Sequence, residues 1–339
     1  MTVIITGSSA LEYLRAKPPT IWPAPRFEEP FNLASNPTDF RQAAKLDASS
    51  LGLARRPIHV LVPRGHYHSN SRNIRTHELM LNPIPGDLLL EVAPDVLVCG
   101  PELTYFQTSP RRSLVGDVVL GCELTGEYSH FSQLVSGYYE RPPLTSIESL
   151  VCASERLSGL FGIKSATKNL EWVCECSRSP METVLATELC LPTQVGGEGF
   201  AKPTLNYEVP LDDAAKAITH TKTSYVDIAW PDAMVGVEYD SDEWHTDKDK
   251  DRRRAEALQH MGWDIYTVHL DQMHKVSELE KTVALLRGHA PQLEEAEEPS
   301  RTLRRQLHEK LLRATRFGIG MSAALFPPSV NARGIKLHI

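Results

Sequence analysis

A chain of 339 residues with 41% hydrophobic and 23% charged residues is of ordinary globular composition, with room for two compact domains, and this excludes a disordered or fibrous protein. The formal charge of −7 argues against a protein that coats nucleic acid non-specifically, while leaving room for a local basic face. No apolar run reaches the length a bilayer needs, and the N-terminus MTVIITGSSALEYLRAKPPT lacks the basic, apolar, small order of a signal peptide, so no membrane partner and a cytoplasmic location are expected.

Residues 1–47 are rich in proline and polar residues and read as an irregular N-terminal segment, PPTIWPAPRFEEP being its most extended part. An α+β domain is expected over 48–176. Its strand-like segments are IHVLVP at 58–63 and DLLLEVAPDVLVCG at 87–100, followed by a helix from Thr145 or Ser146 and another over Lys164–Cys174. The six cysteines, at 99, 122, 152, 174, 176 and 190, form no C-x-x-C pair and are expected as reduced thiols.

From 177 to 290 the order reads helix (182–190), a loop with Gly196 and Gly197, strands (225–230 and 234–240), a helix (249–261) and a strand (263–269), which predicts an α/β domain with a mixed sheet. Residues 291–339 supply the acidic linker LEEAEEPS and a helix from Arg301 to Phe317. Leu303, Leu307 and Leu311 recur there at every fourth position, so the helix is expected to dock on the body rather than serve as a basic arm.

The informative string is YVDIAWPDAMVGVEYDSDEWH, 225–245. A turn centred on Pro231–Met234 pairs Val226 with Tyr239, Ile228 with Val237 and Trp230 with Val235, an apolar face. The other face carries Asp227, Glu238 and Asp240, with Ala229 and Gly236 leaving room between them. Asp227 and Glu238 then lie opposite each other, Cβ atoms roughly 5 Å apart, a repulsion that a bound cation would remove. The alternative is an acidic surface with no ion. His245 could activate a water or be an exposed loop residue, and Arg252, Arg253 and Arg254 could meet phosphate or form a solvated face.

VDIAWPDAMVGVEYDSDEWH at 226–245 and DRRRAEALQHMGWDIYTV at 251–268 resemble the very-short-patch-repair endonucleases and related bacterial proteins with a PD-(D/E)XK core. The resemblance covers about a quarter of the chain and implies a restriction-endonuclease-like fold, a mixed sheet flanked by helices. It also implies Mg²⁺- or Mn²⁺-dependent hydrolysis of DNA phosphodiesters in repair or defence. On it, Asp227 is a metal ligand, Glu238 the motif acid, His245 the base, and Tyr239 offers its carbonyl to the ion. The sequence departs from the pattern at Asp240, where the wider superfamily has its lysine, and at Ser241, which replaces a glycine. The resemblance also makes Glu182 a candidate metal-site acid, while Ser179-Pro180-Met181-Glu182 equally fits a capping box.

RRPIHVLVPRGHYHSNSRNIRTHE at 55–78 and PELTYFQTS at 101–109 more weakly resemble abortive-infection antitoxin-like proteins. His59, His66, His68 and His77 lack a zinc-like spacing, and Arg64, Arg72 and Arg75 form either a basic binding surface or a solvated loop. The expected function is therefore a metal-dependent endonuclease with DNA as partner. The alternative is a catalytically inactive nuclease-like binding module, or an antitoxin-type regulator whose partner would be a toxin.

Overall fold

The computed structural model describes residues 2–16, 25–36, 40–65, 71–109, 112–131, 137–240, 248–273, 275–290, 293 and 298–316. In the N-terminal half, β1 (Val3–Ile5) leads into α1 (Gly7–Arg15) and α2 (Phe40–Lys45). Four strands follow: β2 (Ile58–Val62), β3 (Ile74–Glu78), β4 (Leu89–Ala93) and β5 (Val96–Cys99). They form a five-stranded sheet of order β3-β2-β1-β5-β4, with β1 parallel to β5 and antiparallel to β2. This corrects the expectation of an irregular segment over 1–47, because β1 is the central strand and Val3, Ile4 and Ile5 have no solvent exposure. A strand buried on both faces is a short apolar run without alternation, so periodicity does not reveal it.

The expected strand over 87–100 is a hairpin, β4 and β5 pairing antiparallel through a turn in which Asp95 has a φ of 60°. Next come α3 (Pro101–Thr108), α4 (Leu114–Thr125), the two-stranded β6 (Tyr128–His130) and β7 (Tyr138–Glu140), α5 (Ile147–Arg156) and α6 (Ile163–Asn169). Ser146 caps α5 as expected, its Oγ accepting the Ser149 amide at 3.1 Å. The helix expected to run to Cys174 ends at Asn169 and passes into a single 3₁₀ turn, Leu170–Trp172.

The C-terminal half holds α7 (Pro180–Cys190), β8 (Thr204–Pro210), α8 (Asp213–Thr219), β9 (Thr223–Trp230), β10 (Val235–Asp240), α9 (Lys248–His260) and β11 (Asp264–His269). The sheet order is β11-β10-β9-β8, with β8, β9 and β10 successively antiparallel and β11 parallel to β10. An α/β architecture with mixed sheets is thus present, with β8 and α8 additional to the expected elements. The chain continues through α10 (Leu270–Met273), α11 (Val276–His289) and α12 (Arg301–Arg316). No helix among the described residues is long and apolar enough to cross a membrane.

The core does not divide at residues 176/177. Val173 and Cys174 share one buried cluster with Val184, Leu185, Ile228 and the residues of β1, because α4 and α12 both pack on α7. Docking of α12 through Leu307 and Leu311, 1% and 0% exposed, follows from the four-residue leucine spacing. A smaller cluster on the far side of the second sheet contains Val209, Leu211, Val226, Ala229, Leu258 and Trp263. The backbone of α12 also presses on Gly196, whose φ is +101° and where a Cβ would collide with the Leu303 carbonyl. Gly196→Ala is therefore expected to loosen α12, read as faster limited proteolysis around residues 298–316; an unchanged cleavage pattern would contradict this contact.

Candidate active site at the second sheet

The β9–β10 register pairs Trp230 with Val235, Ala229 with Gly236 and Ile228 with Val237, as the turn position implies. A 3₁₀ turn at Pro231–Ala233, closed by Met234 at φ 52°, makes the connection. Beyond Ile228 the strands change character. Asp227 Oδ2 accepts the Tyr239 amide at 3.0 Å, so a side chain takes a place where a strand carbonyl would normally bond.

The expected pair of faces is corrected here. Ile228, Trp230, Val235 and Val237 lie in the main core, but Val226 lies on the opposite side with Ala229. Neighbouring β8 makes the same switch: Leu205 is in the main core, whereas Tyr207 and Val209 face the smaller cluster, with Asn206 between them at φ 48°. Both strands thus turn over at adjacent positions, Asn206 and Asp227. The space expected beside Ala229 and Gly236 is filled, since a Cβ on Gly236 would collide with Val226 Cγ1 and lie 2.8 Å from Ile265 Cδ1.

The turnover brings Asp227 toward α7. Ser179 Oγ accepts the Glu182 amide at 3.1 Å, which is half of a capping box. The other half is displaced by one residue, Glu182 Oε2 accepting the Arg178 amide at 2.8 Å and the Asn206 side-chain amide, also at 2.8 Å. The Glu182 carboxyl is buried, and burial together with the negative charge of Asp227 pushes it up to about 7. Glu182 therefore serves the cap and faces the site at once. The two roles weighed for it are compatible because only one oxygen is needed for the backbone bond.

Glu238 accepts from Arg254 Nη2 at 2.5 Å, and Arg254 Nη1 reaches the Tyr225 carbonyl at 3.3 Å. Asp240 lies 3.3 Å from His269 Nδ1. Of the three arginines only Arg254 joins the acids, because Arg252 pairs with Glu256 and Asp249 on its own helix and Arg253 makes no ion pair among the described residues. His245 and Ser241, with roles expected from the family pattern, lie outside the described residues. Among the described residues no group of three or more histidine, cysteine, aspartate or glutamate side chains is arranged to hold a metal ion. In the N-terminal sheet, His59 and His77 pair with each other at 2.8 Å, while His66 and His68 also lie outside the described residues.

Sequence reasoning missed the wall beside Glu182. Arg178 Nε bonds Glu127 Oε2 at 2.9 Å, and its guanidinium sits 5.0 Å above the Tyr225 ring. Tyr128 hydroxyl meets Thr183 Oγ1 at 3.0 Å, and the Tyr138 ring packs 6.2 Å from the Tyr128 ring. Burial and then the Glu182 charge raise the Tyr138 phenol, so ring and carboxylate are within electrostatic reach. These contacts join β6, β7 and α7 across more than forty residues of sequence, and no local motif announces them.

No protein-family model, no curated protein and no solved structure matches the chain.

Proposed function

We propose that this protein is a metal-dependent DNA endonuclease with a PD-(D/E)XK-like core. The succession α7-β8-α8-β9-β10-α9-β11, three antiparallel strands with a fourth parallel to the third, supports the finer fold reading. The observation that carries the activity is the approach of Glu182, on the first helix of that core, to Asp227 on its second strand, close enough for the aspartate charge to raise the Glu182 carboxyl; Glu238 is carried by the third strand. The negative charge that Asp227 adds beside the buried Glu182 is a repulsion that a hard divalent cation would relieve, provided the acids close up on the ion, since as they stand they are not gathered into a metal-holding group among the described residues.

Asp227 and Glu238 would hold Mg²⁺ or Mn²⁺, with Glu182 and the Tyr239 carbonyl completing the protein's share of the ligands. When bound, such an ion neutralises charge on phosphate oxygens and acidifies water. The Tyr239 amide fixes Asp227, and Asn206 with the Arg178 amide fixes Glu182. Arg254, paired with Glu238 in the metal-free protein, would turn its fork of donors to phosphate were Glu238 to hold a cation. His245 accepts the proton of the attacking water.

Asp227→Ala or Glu238→Ala is expected to lower Mg²⁺-dependent cleavage by more than about a hundredfold, the scale for losing a group that stabilises charge in the transition state. The circular-dichroism spectrum should remain native, and His245→Ala should cost less. Wild-type protein that cleaves neither single-stranded, duplex, nicked nor mismatched DNA with Mg²⁺ or Mn²⁺ would overturn the reading.

The position of Asp240 favours a second reading, a binding module without catalysis, since an acid beside His269 stands where the superfamily has its lysine. Such a module would bind DNA without added metal and cleave none with it.

A further inference from the structure

Around Glu182 the surface is aromatic and cationic rather than broadly basic. Tyr225, 38% exposed, lies two positions before Asp227 with Arg178 over one face of its ring. Tyr138, half-buried on β7, packs edge-on against Tyr128, which is tied to Thr183 next to Glu182. The hairpin that carries Tyr138 is itself anchored to Arg178 through Glu127. Two tyrosines and a guanidinium thus lie around Glu182, held by contacts from both halves of the chain.

The charge balance decides what such a rim can bind. Non-specific duplex binding draws its affinity from neutralised phosphates. Here the chain is acidic overall, Arg178 is paired with Glu127, Arg252 with Glu256, and Arg254 with Glu238. In the metal-free protein that leaves Arg253, of Arg178 and the arginines at 252–254, as the one without an ion pair among the described residues, little cationic charge for phosphate. Stacking on an aromatic ring does not need it, and in duplex DNA the base faces are already occupied by their neighbours. We propose that Tyr225 and Tyr138, with Arg178, form a stacking rim for unpaired bases, so that the substrate class of the site is DNA with a single-stranded stretch at the scissile phosphate. The inference rests on the endonuclease reading for its cleavage, but binding by the rim can be measured without cleavage.

The test uses the full chain in EDTA, with fluorescence anisotropy on a labelled oligothymidylate and on a duplex of equal length, followed by cleavage of both in Mg²⁺. Wild type is expected to bind the single strand at least about tenfold more tightly than the duplex. Tyr225→Leu and Tyr138→Leu should each lose about tenfold for the single strand, the value of one stacked base, with duplex binding unchanged. Phe161→Ser, which removes an aromatic residue 84% exposed on the turn between α5 and α6, should bind as wild type does. Equal affinity for the two forms overturns the rim, as does undiminished single-strand binding by both tyrosine variants with native circular-dichroism spectra. Tyrosine-dependent single-strand binding with no cleavage supports the rim and overturns the nuclease reading. Cleavage of duplex as fast as single strand keeps the nuclease and overturns the rim.

Discussion

Replacing Glu198 with alanine is expected to destabilise the fold by about 3 kcal/mol, the lower part of the range for breaking a buried ion pair. Glu198 is 1% exposed and accepts Arg304 Nε at 2.5 Å, Arg304 Nη2 at 2.9 Å and Arg287 Nη2 at 3.1 Å. Its carboxylate therefore joins the turn after α7 to both α11 and α12. Removing it leaves two guanidinium groups, each about one-tenth exposed, without their central counter-charge. The loss is not the full range because Glu280 stays 3.2 Å from Arg304 and Glu298 stays 3.7 Å away. Glu198→Gln, which retains an acceptor, should cost less. Denaturant titration measures both, and a shift in Glu198→Ala below about 0.5 kcal/mol would mean that the pair's Coulomb gain only balances its desolvation.

The second large effect belongs to Glu182 and depends on pH. Its folded carboxyl titrates at about 7 against an ordinary value of 4.5, so between those values the native state holds a proton that the unfolded chain has released. Native stability therefore falls as pH rises from about 4.5 to about 7 and stays reduced above that. Glutamine cannot ionise, and its carbonyl can still accept the Arg178 and Asn206 donors. Glu182→Gln is accordingly expected to match wild type near pH 4.5 and exceed it by on the order of 2–3 kcal/mol at pH 8. Thermal melts across that interval provide the measurement. Parallel wild-type and variant curves would mean that Asp227 and burial do not hold the proton as argued. On the proposed function, Mg²⁺ at pH 8 should also stabilise wild type more than the variant.

Much of the second sheet was legible because its signals are local. Pro231 and the alternating apolar residues around it fix the turn, and the turn fixes the β9–β10 register. The four-residue leucine spacing likewise identifies the docked face of α12. What escaped was set at long range. β8 is interrupted by the left-handed Asn206, so its apolar residues change face halfway and no period-two pattern survives. The same turnover at Asp227 moved Val226 off its expected face, which a rule of strict alternation cannot foresee. Arg304 and His308 carry no apolar signal in the sequence of α12, yet both are buried, against Glu198 and Glu188. Their partners precede them by 106 and 120 residues, and only the folded chain brings them together.

The docking of the last described helix on α7 also has a consequence for synthesis. Translation runs from the N-terminus, so α7 and the sheet behind it leave the ribosome well before Leu307 and Leu311 exist to cover them. During that interval Glu188 and Glu198 have left the exit tunnel without His308 and Arg304. The nascent chain therefore carries an uncovered apolar stripe flanked by acids that lack part of their counter-charge, the kind of surface that chaperones shield. Completion of the core awaits residues 301–316, and a message truncated before residue 301 would yield a product that never closes.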